Sequence, residues 1–188
     1  MNRTTYLYDD NIGRVDYIDH MGSDLTIVNS ARVSFGVTKD ELEDRDKKLI
    51  KYLVKHRHTS TFEHNVATFR FVVPMFVRSQ HTPSTFRTQH KTNRQASNTD
   101  EINPIIHPDL SDFGEGLRAS HSVQTHVRQS LKLFNRLMAE GVCREQARMV
   151  LPQNLYTEYY GTCNLANLLK FIGLRTHEGA QWEIQKVA

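Results

Sequence analysis

The chain has 188 residues and a mass of 21.8 kDa, with 38% hydrophobic and 24% charged residues, the size and balance of one globular domain with a real core. Lys and Arg total 24 against 21 Asp and Glu, and the resulting net charge of +3 is too mild for a dedicated duplex-DNA binder. Two cysteines without a CxxC pair exclude a disulfide framework and argue against structural zinc, and no apolar run approaches the ~20 residues that span a bilayer.

The opening stretch MNRTTYLYDDNIGR has no apolar segment of the signal-peptide kind. The expectation is a soluble, cytoplasmic protein with reduced thiols, bound to neither a membrane nor a nucleic-acid polymer.

Residues 12–19 alternate apolar and polar, which predicts a strand with Val15 and Tyr17 on one side. His20 to Ser23 reads as a turn, with Ser23 or Asp24 capping a short helix over 24–34 that Gly36 ends. Residues 37–43 are a polar loop or a helix start. Leu49, Ile50, Leu53 and Val54 make a helical stripe over 44–56. Lys51, Lys55, His56 and Arg57 gather at its end, where the helix dipole favours them. Residues 65–73 predict a strand that Pro74 stops, and 75–80 open another helix.

Residues 97–116 are loop-like, and 117–139 predict a long helix with Val127, Leu131 and Phe134 on one face and Gly141 at its end. A short helix over 145–151, a strand over 154–163, a helix over 165–172 with Gly173 at its C′ position and a last helix within 179–187 complete the chain. The pattern is a mixed helix-and-strand domain over residues 1–188, with no internal repeat or boundary.

From His64 to Thr99 there is no Asp or Glu, where the chain's average would place roughly four. The stretch carries Arg70, Arg78, Arg87, Lys91 and Arg94, with neutral donors such as Gln80, Gln89, Gln95 and Ser97 among them. Positive charge so segregated suits an anion such as phosphate, and a plain solvated basic face fits equally well. His56 and His58 have no third ligand at a telling spacing, so no metal site is expected. Glu63-His64 is a weak acid/base pair, Arg144 and Arg148 share a helix face, and Tyr156, Tyr159 and Tyr160 read as core or interface. Walker, GxGxxG and GxSxG motifs are absent, and neither Cys143 nor Cys163 stands in a nucleophile-like context.

Five blocks in order resemble the flavin-dependent thymidylate synthases: VDYIDHMGSDLTIVNSARVSFG (15–36), DRDKKLIKYLVKHRHTSTFEH (44–64), ATFRFVVPMFVRSQ (67–80), REQARMVLPQNLYTEYYGTCN (144–164) and LRTHEGAQWEIQ (174–185). The family's Arg-His-Arg signature, followed after seven residues by Ser, is degenerate here. Arg87-Thr88-Gln89 and Ser97 keep its spacing, preceded by Phe86, if about four residues are inserted after Gln80. An ungapped alignment instead sets Pro83-Ser84-Thr85 under it.

The resemblance implies an α+β fold, a single domain with a central, mostly antiparallel sheet flanked by helices, assembled as a homotetramer with sites between subunits. It implies bound FAD, with NADPH and methylenetetrahydrofolate as co-substrates. The implied reaction is reductive methylation at C5 of a deoxypyrimidine monophosphate, dUMP to dTMP, without an enzyme nucleophile.

Carried over by position, Arg175 and Ser97 match catalytic residues. Gln80, Arg87, Gln95, Ser97, Arg148 and Arg175 match substrate contacts. His58, Ser60, Glu63, Arg87, Gln89, Asn164 and Lys170 match the flavin's surroundings. The departures neutralise charge. Thr88 and Gln89 replace the signature's His and second Arg, Gln95 stands for a Glu, and Thr99 for an Arg. An Arg near Asn164 is replaced by Ala166 or Asn167, and Lys170 stands where an Asn is common. These changes leave two alternatives: a dCMP methylase or hydroxymethylase of the same fold, and a non-catalytic nucleotide-binding relic.

Overall fold

The structure, a computed structural model, describes residues 3–81, 87–90 and 113–188, with 87–90 and 113–118 described by backbone alone. Gln95, Ser97 and Thr99 lie outside the described residues, as does most of the predicted 97–116 loop.

Arg3–Tyr6 (β1) and Arg14–Met21 (β2) pair antiparallel as a hairpin. β1 is absent from the sequence reading. Its signal is the turn chemistry of Asp9 to Gly13: Asp10 Oδ1 accepts the N–H groups of Ile12 and Gly13, both at 2.9 Å, and Asp9 and Asn11 take positive φ. β2 runs through the predicted turn to Met21, because Asp19, His20 and Met21 continue the ladder onto β3 (Val66–Pro74) beyond a bulge. The alternation of β2 is also not simply apolar-in. Asp16, only 3% exposed, is its most buried side chain, held by Thr4 Oγ1 at 2.6 Å and Arg70 Nε at 2.7 Å.

Asp24–Arg32 (α1) follows Ser23, whose N–H donates to Thr26 Oγ1, and a 3₁₀ turn closes at Gly36 with φ 64°. Residues 37–43 are loop. Asp44–Lys55 (α2) packs three residues of its predicted stripe toward α1, where Ile27, Leu53 and Phe62 form a small core with Leu49, Ile50, Leu165 and Ala166 around it, while Val54 is exposed.

The helix expected over 75–80 is the single turn Met75–Arg78 (α3), and Arg87–His90 (β4), not foreseen, pairs with β5 (Tyr156–Asn164). Phe113–Ala139 (α4) starts four residues before the predicted helix. The helix expected over 145–151 is Arg144–Ala147 (α5) tightening into a 3₁₀ turn over Arg148–Val150.

Leu165–Arg175 (α6) passes straight through Gly173, the residue expected to end it. Thr176 closes the helix instead, its N–H and Oγ1 both bonded to the Ile172 carbonyl. Trp182–Val187 (α7) is the last helix. The sheet order is β1-β2-β3-β5-β4, antiparallel throughout, as the α+β expectation requires. Phe71, Val73 and Tyr159 pack with Phe171 of α6 and Ile184 of α7 in the main core. Tyr156 and Tyr159 are thus core residues, as read from the sequence.

Candidate functional site

Two places gather the predicted residues. The first is a cavity of about 510 Å³ where α2, the 3₁₀ turn Thr59–Phe62 and α6 meet. Leu53, Phe62 and Ala166 form its apolar floor, continuous with the small core behind them, and Arg57, Asn167 and Lys170 are its polar wall. Among the described residues, no Asp or Glu lines it. Local backbone chemistry sets this wall. The N–H of Arg57 donates to the Val54 carbonyl at 3.1 Å and that of His58 to the Leu53 carbonyl at 2.9 Å. These two bonds are a Schellman closure of α2 with Arg57 at C′. Arg57 accordingly has φ 56°, a left-handed conformation that costs a non-glycine residue roughly 1–2 kcal/mol. Opposite, Asn164 caps α6 through its Oδ1, which accepts from the Asn167 N–H at 2.9 Å, and the Leu165 N–H donates to the Asn65 carbonyl at 2.8 Å.

Of the residues expected near a flavin, Lys170 lines this cavity, and Asn164 caps the helix that carries Lys170. His58 and Ser60 are exposed on or beside the adjoining turn, with the His58 ring stacked on Tyr52 at 6.2 Å, and Glu63 is exposed just beyond. Arg57, Thr59 and Asn167 are not among the site residues read from the sequence. The basic end of α2 reads there as dipole compensation, and nothing in its spacing marks Arg57 as a cavity residue.

The second place lies where α3 and the end of α6 meet. Arg175 Nη2 donates to the Gln80 carbonyl at 2.8 Å, and the Gln80 carboxamide meets that of Gln181. Next to Gln80, His81 is buried, 6% exposed, between Phe71 and Phe171, with Nδ1 hydrogen-bonded to the Tyr159 hydroxyl at 2.5 Å. Burial, aided by the Arg175 and Arg78 charges, pushes the imidazole down to about 3, so it is neutral. Arg78 stands over the Tyr159 ring at 5.6 Å. The sequence thus names two partners that the fold brings together, Gln80 and Arg175, and does not name the His81–Tyr159 bond behind them.

Arg148 lies apart, in the 3₁₀ turn after α5, on a cavity of about 330 Å³ with Met75, Glu145 and Met149. Arg87 and Gln89 lie on β4 at the edge of the sheet, in register with Thr162 and Tyr160. Burial pushes the Cys163 thiol up to about 11, and Cys143 is exposed at the start of α5. A buried, protonated thiol is a poor nucleophile, in keeping with the sequence reading.

The profile of the family described as "Thymidylate synthase complementing protein" matches residues 16–188. The flavin-dependent thymidylate synthase of Thermotoga neapolitana is 38% identical over 181 residues, covering 94% of this chain and 82% of its own. This chain belongs to the flavin-dependent thymidylate synthase family. The family's enzyme from Thermus thermophilus is 37% identical over 199 residues, 94% of this chain and 68% of that one. Among solved structures, the UMP/dUMP methylase PolB from Streptomyces cacaoi, bound with 5-Br dUMP, superposes with a TM-score of 0.76 at 29% identity, covering 93% of this chain and 86% of that one. The chain is accordingly an enzyme of the methyltransferase class.

The family is flavin-dependent, and the cavity chemistry fits FAD. Its apolar floor suits an aromatic ring, and its two cations suit a diphosphate. No helix of the described residues is long and apolar enough to cross a membrane.

Proposed function

We propose that this enzyme methylates C5 of a uracil nucleotide, converting dUMP to dTMP, with FAD, NADPH and methylenetetrahydrofolate. The single domain over residues 1–188 carries the activity. The observation that supports this reading best is the meeting of Arg175 with Gln80, 95 residues apart in sequence, where Gln80 lies near the middle of the acid-free stretch 64–99.

One guanidinium N–H is spent on the Gln80 carbonyl. The remaining donors of Arg175 are thereby aimed rather than left to a flexible side chain, and they suit a phosphate or a base carbonyl that gains negative charge. Arg148, Arg87, Gln95 and Ser97 complete the substrate contacts in this reading, with Arg175 and Ser97 at the reacting base. His58, Ser60, Glu63, Arg87, Gln89, Asn164 and Lys170 surround the flavin. Bound FAD supplies the redox chemistry. No thiol adds to the base, consistent with the raised Cys163.

The active unit is a homotetramer in this proposal. Exposed Phe35 at 79% and Met149 at 76% are apolar surface of the kind that subunit contacts cover. Light scattering on the purified protein checks the mass.

A second reading, UMP as substrate, is favoured by the likeness to the UMP/dUMP methylase. The deciding experiment measures tritium released from C5 of dUMP, UMP and dCMP in parallel, with FAD, NADPH and methylenetetrahydrofolate. Release from dUMP is the expected result. Release from UMP alone moves the substrate to the ribonucleotide, and release from dCMP alone makes the enzyme a cytosine-modifying relative.

A further inference from the structure

We infer that Arg57, together with Lys170, is a diphosphate clamp that binds the dinucleotide part of the flavin on the α2–α6 cavity. The inference rests on the proposed use of FAD.

Three observations carry it. Arg57 occupies the C′ position of a Schellman closure at φ 56°, where glycine is the favoured residue. An arginine kept in a conformation that disfavours it calls for a use of its side chain. Second, Arg57 and Lys170 come from different elements and line the same cavity, and neither side chain makes a hydrogen bond or ion pair among the described residues. By contrast Arg32, Lys39 and Arg70, elsewhere in the fold, are all paired with buried Asp side chains. Third, the cavity has no acidic residue on its described wall to neutralise the two cations. Two unpaired cations facing one hollow match a ligand with two negative charges.

The clamp also accounts for a departure in the sequence. Ala166 and Asn167, where the resemblance leads one to expect an arginine, line this same cavity without a charge. Arg57 restores a guanidinium from the end of α2, and Lys170 adds a second cation to the same cavity from α6. Compensation of the α2 dipole alone would use the charge of Arg57 but would not select the cavity.

The test is binding, not turnover. Wild type, Arg57→Gly and Lys170→Gln are titrated with FAD, riboflavin and ADP, read by flavin fluorescence and calorimetry. Lys51→Gln, an exposed cation on α2 that does not line the cavity, controls for net charge.

R57G is expected to raise the melting temperature, because glycine suits the left-handed position. It should weaken FAD and ADP about tenfold or more while leaving riboflavin within about twofold. Added salt should weaken FAD binding to wild type more than to R57G. FAD affinity unchanged in R57G, or FAD and riboflavin weakened alike, overturns the clamp while leaving the flavin reading standing. If wild type binds no FAD, the proposed cofactor falls and the clamp with it.

Discussion

Arg175 and Gln80 meet through a main-chain contact: the guanidinium donates to the Gln80 carbonyl at 2.8 Å and ties the last turn of α6 to the segment after α3. The position of the guanidinium is therefore written partly into the backbone of Gln80. That backbone is held by its neighbour, since His81 is wedged between Phe71 and Phe171 and bonded to Tyr159.

Arg175→Ala removes the donor, and Arg175→Lys keeps the charge but not the fork. Both variants should lose about tenfold to a hundredfold in nucleotide affinity, the range of a charged hydrogen bond, with Lys recovering only part. Equilibrium binding of dUMP measures this. Affinity of R175A within about twofold of wild type would remove Arg175 from the site.

His81 gives the fold a pH dependence of defined sign. The imidazole titrates at about 3 when folded and near 6.5 when unfolded, so between these values the unfolded chain holds a proton that the folded one refuses. Its contribution to stability is full above about pH 6.5. It declines by about 1.4 kcal/mol per pH unit as pH falls toward the folded value. Denaturant unfolding of wild type and His81→Gln from pH 7 to pH 4 should show a shallower decline in the variant. Parallel profiles would mean that His81 is not held neutral.

Asp46 tests the support of the cavity. Its buried carboxylate takes Arg32 Nη2 at 2.6 Å, Lys39 Nζ at 2.8 Å and the Glu43 N–H at 3.0 Å, joining α1, the following loop and the start of α2. The Lys39 hydrogen bond, then that of Glu43, holds the carboxyl below its ordinary value against the pull of burial. A lowered carboxyl stabilises fully above its unfolded value and loses that stability as pH falls through the folded one. Asp46→Asn should lower the melting temperature at pH 7, and the gap to wild type should close in acid below about pH 4. The cavity wall that rests on α2 should loosen with it, read as weaker FAD binding.

Gly22 has φ 90°, and a Cβ there would overlap the Asn65 carboxamide, which itself donates to the Ser23 carbonyl at 3.1 Å. Gly22→Ala should cost about 2 kcal/mol or more in chemical denaturation. A neutral result would mean that the β2–α1 junction shifts freely.

Local pattern is enough for α2, β3 and β5. In α2 the stripe Leu49, Ile50, Leu53 and Val54 repeats at helical spacing, and the two strands are β-branched and aromatic runs bounded by breakers. The same reading fails at Gly173. A glycine ends a helix only where the chain must turn left-handed, and here Thr176 ends it three residues later. It also misses β1, whose Asp10-centred turn is legible, and β4, whose four residues become a strand only by pairing with β5.

By itself the sequence determined the family, the basic stretch without acids, and the residues Gln80 and Arg175, because these depend on residue identity and order. The tertiary structure alone decided that those two meet, that Asp16 lies buried under Arg70, and that Arg57 and Lys170 share one hollow. Each of these joins positions from tens of residues to about a hundred apart in sequence. Burial and electrostatic partnership across such separations are set by the packing of strands and helices, which no local periodicity encodes.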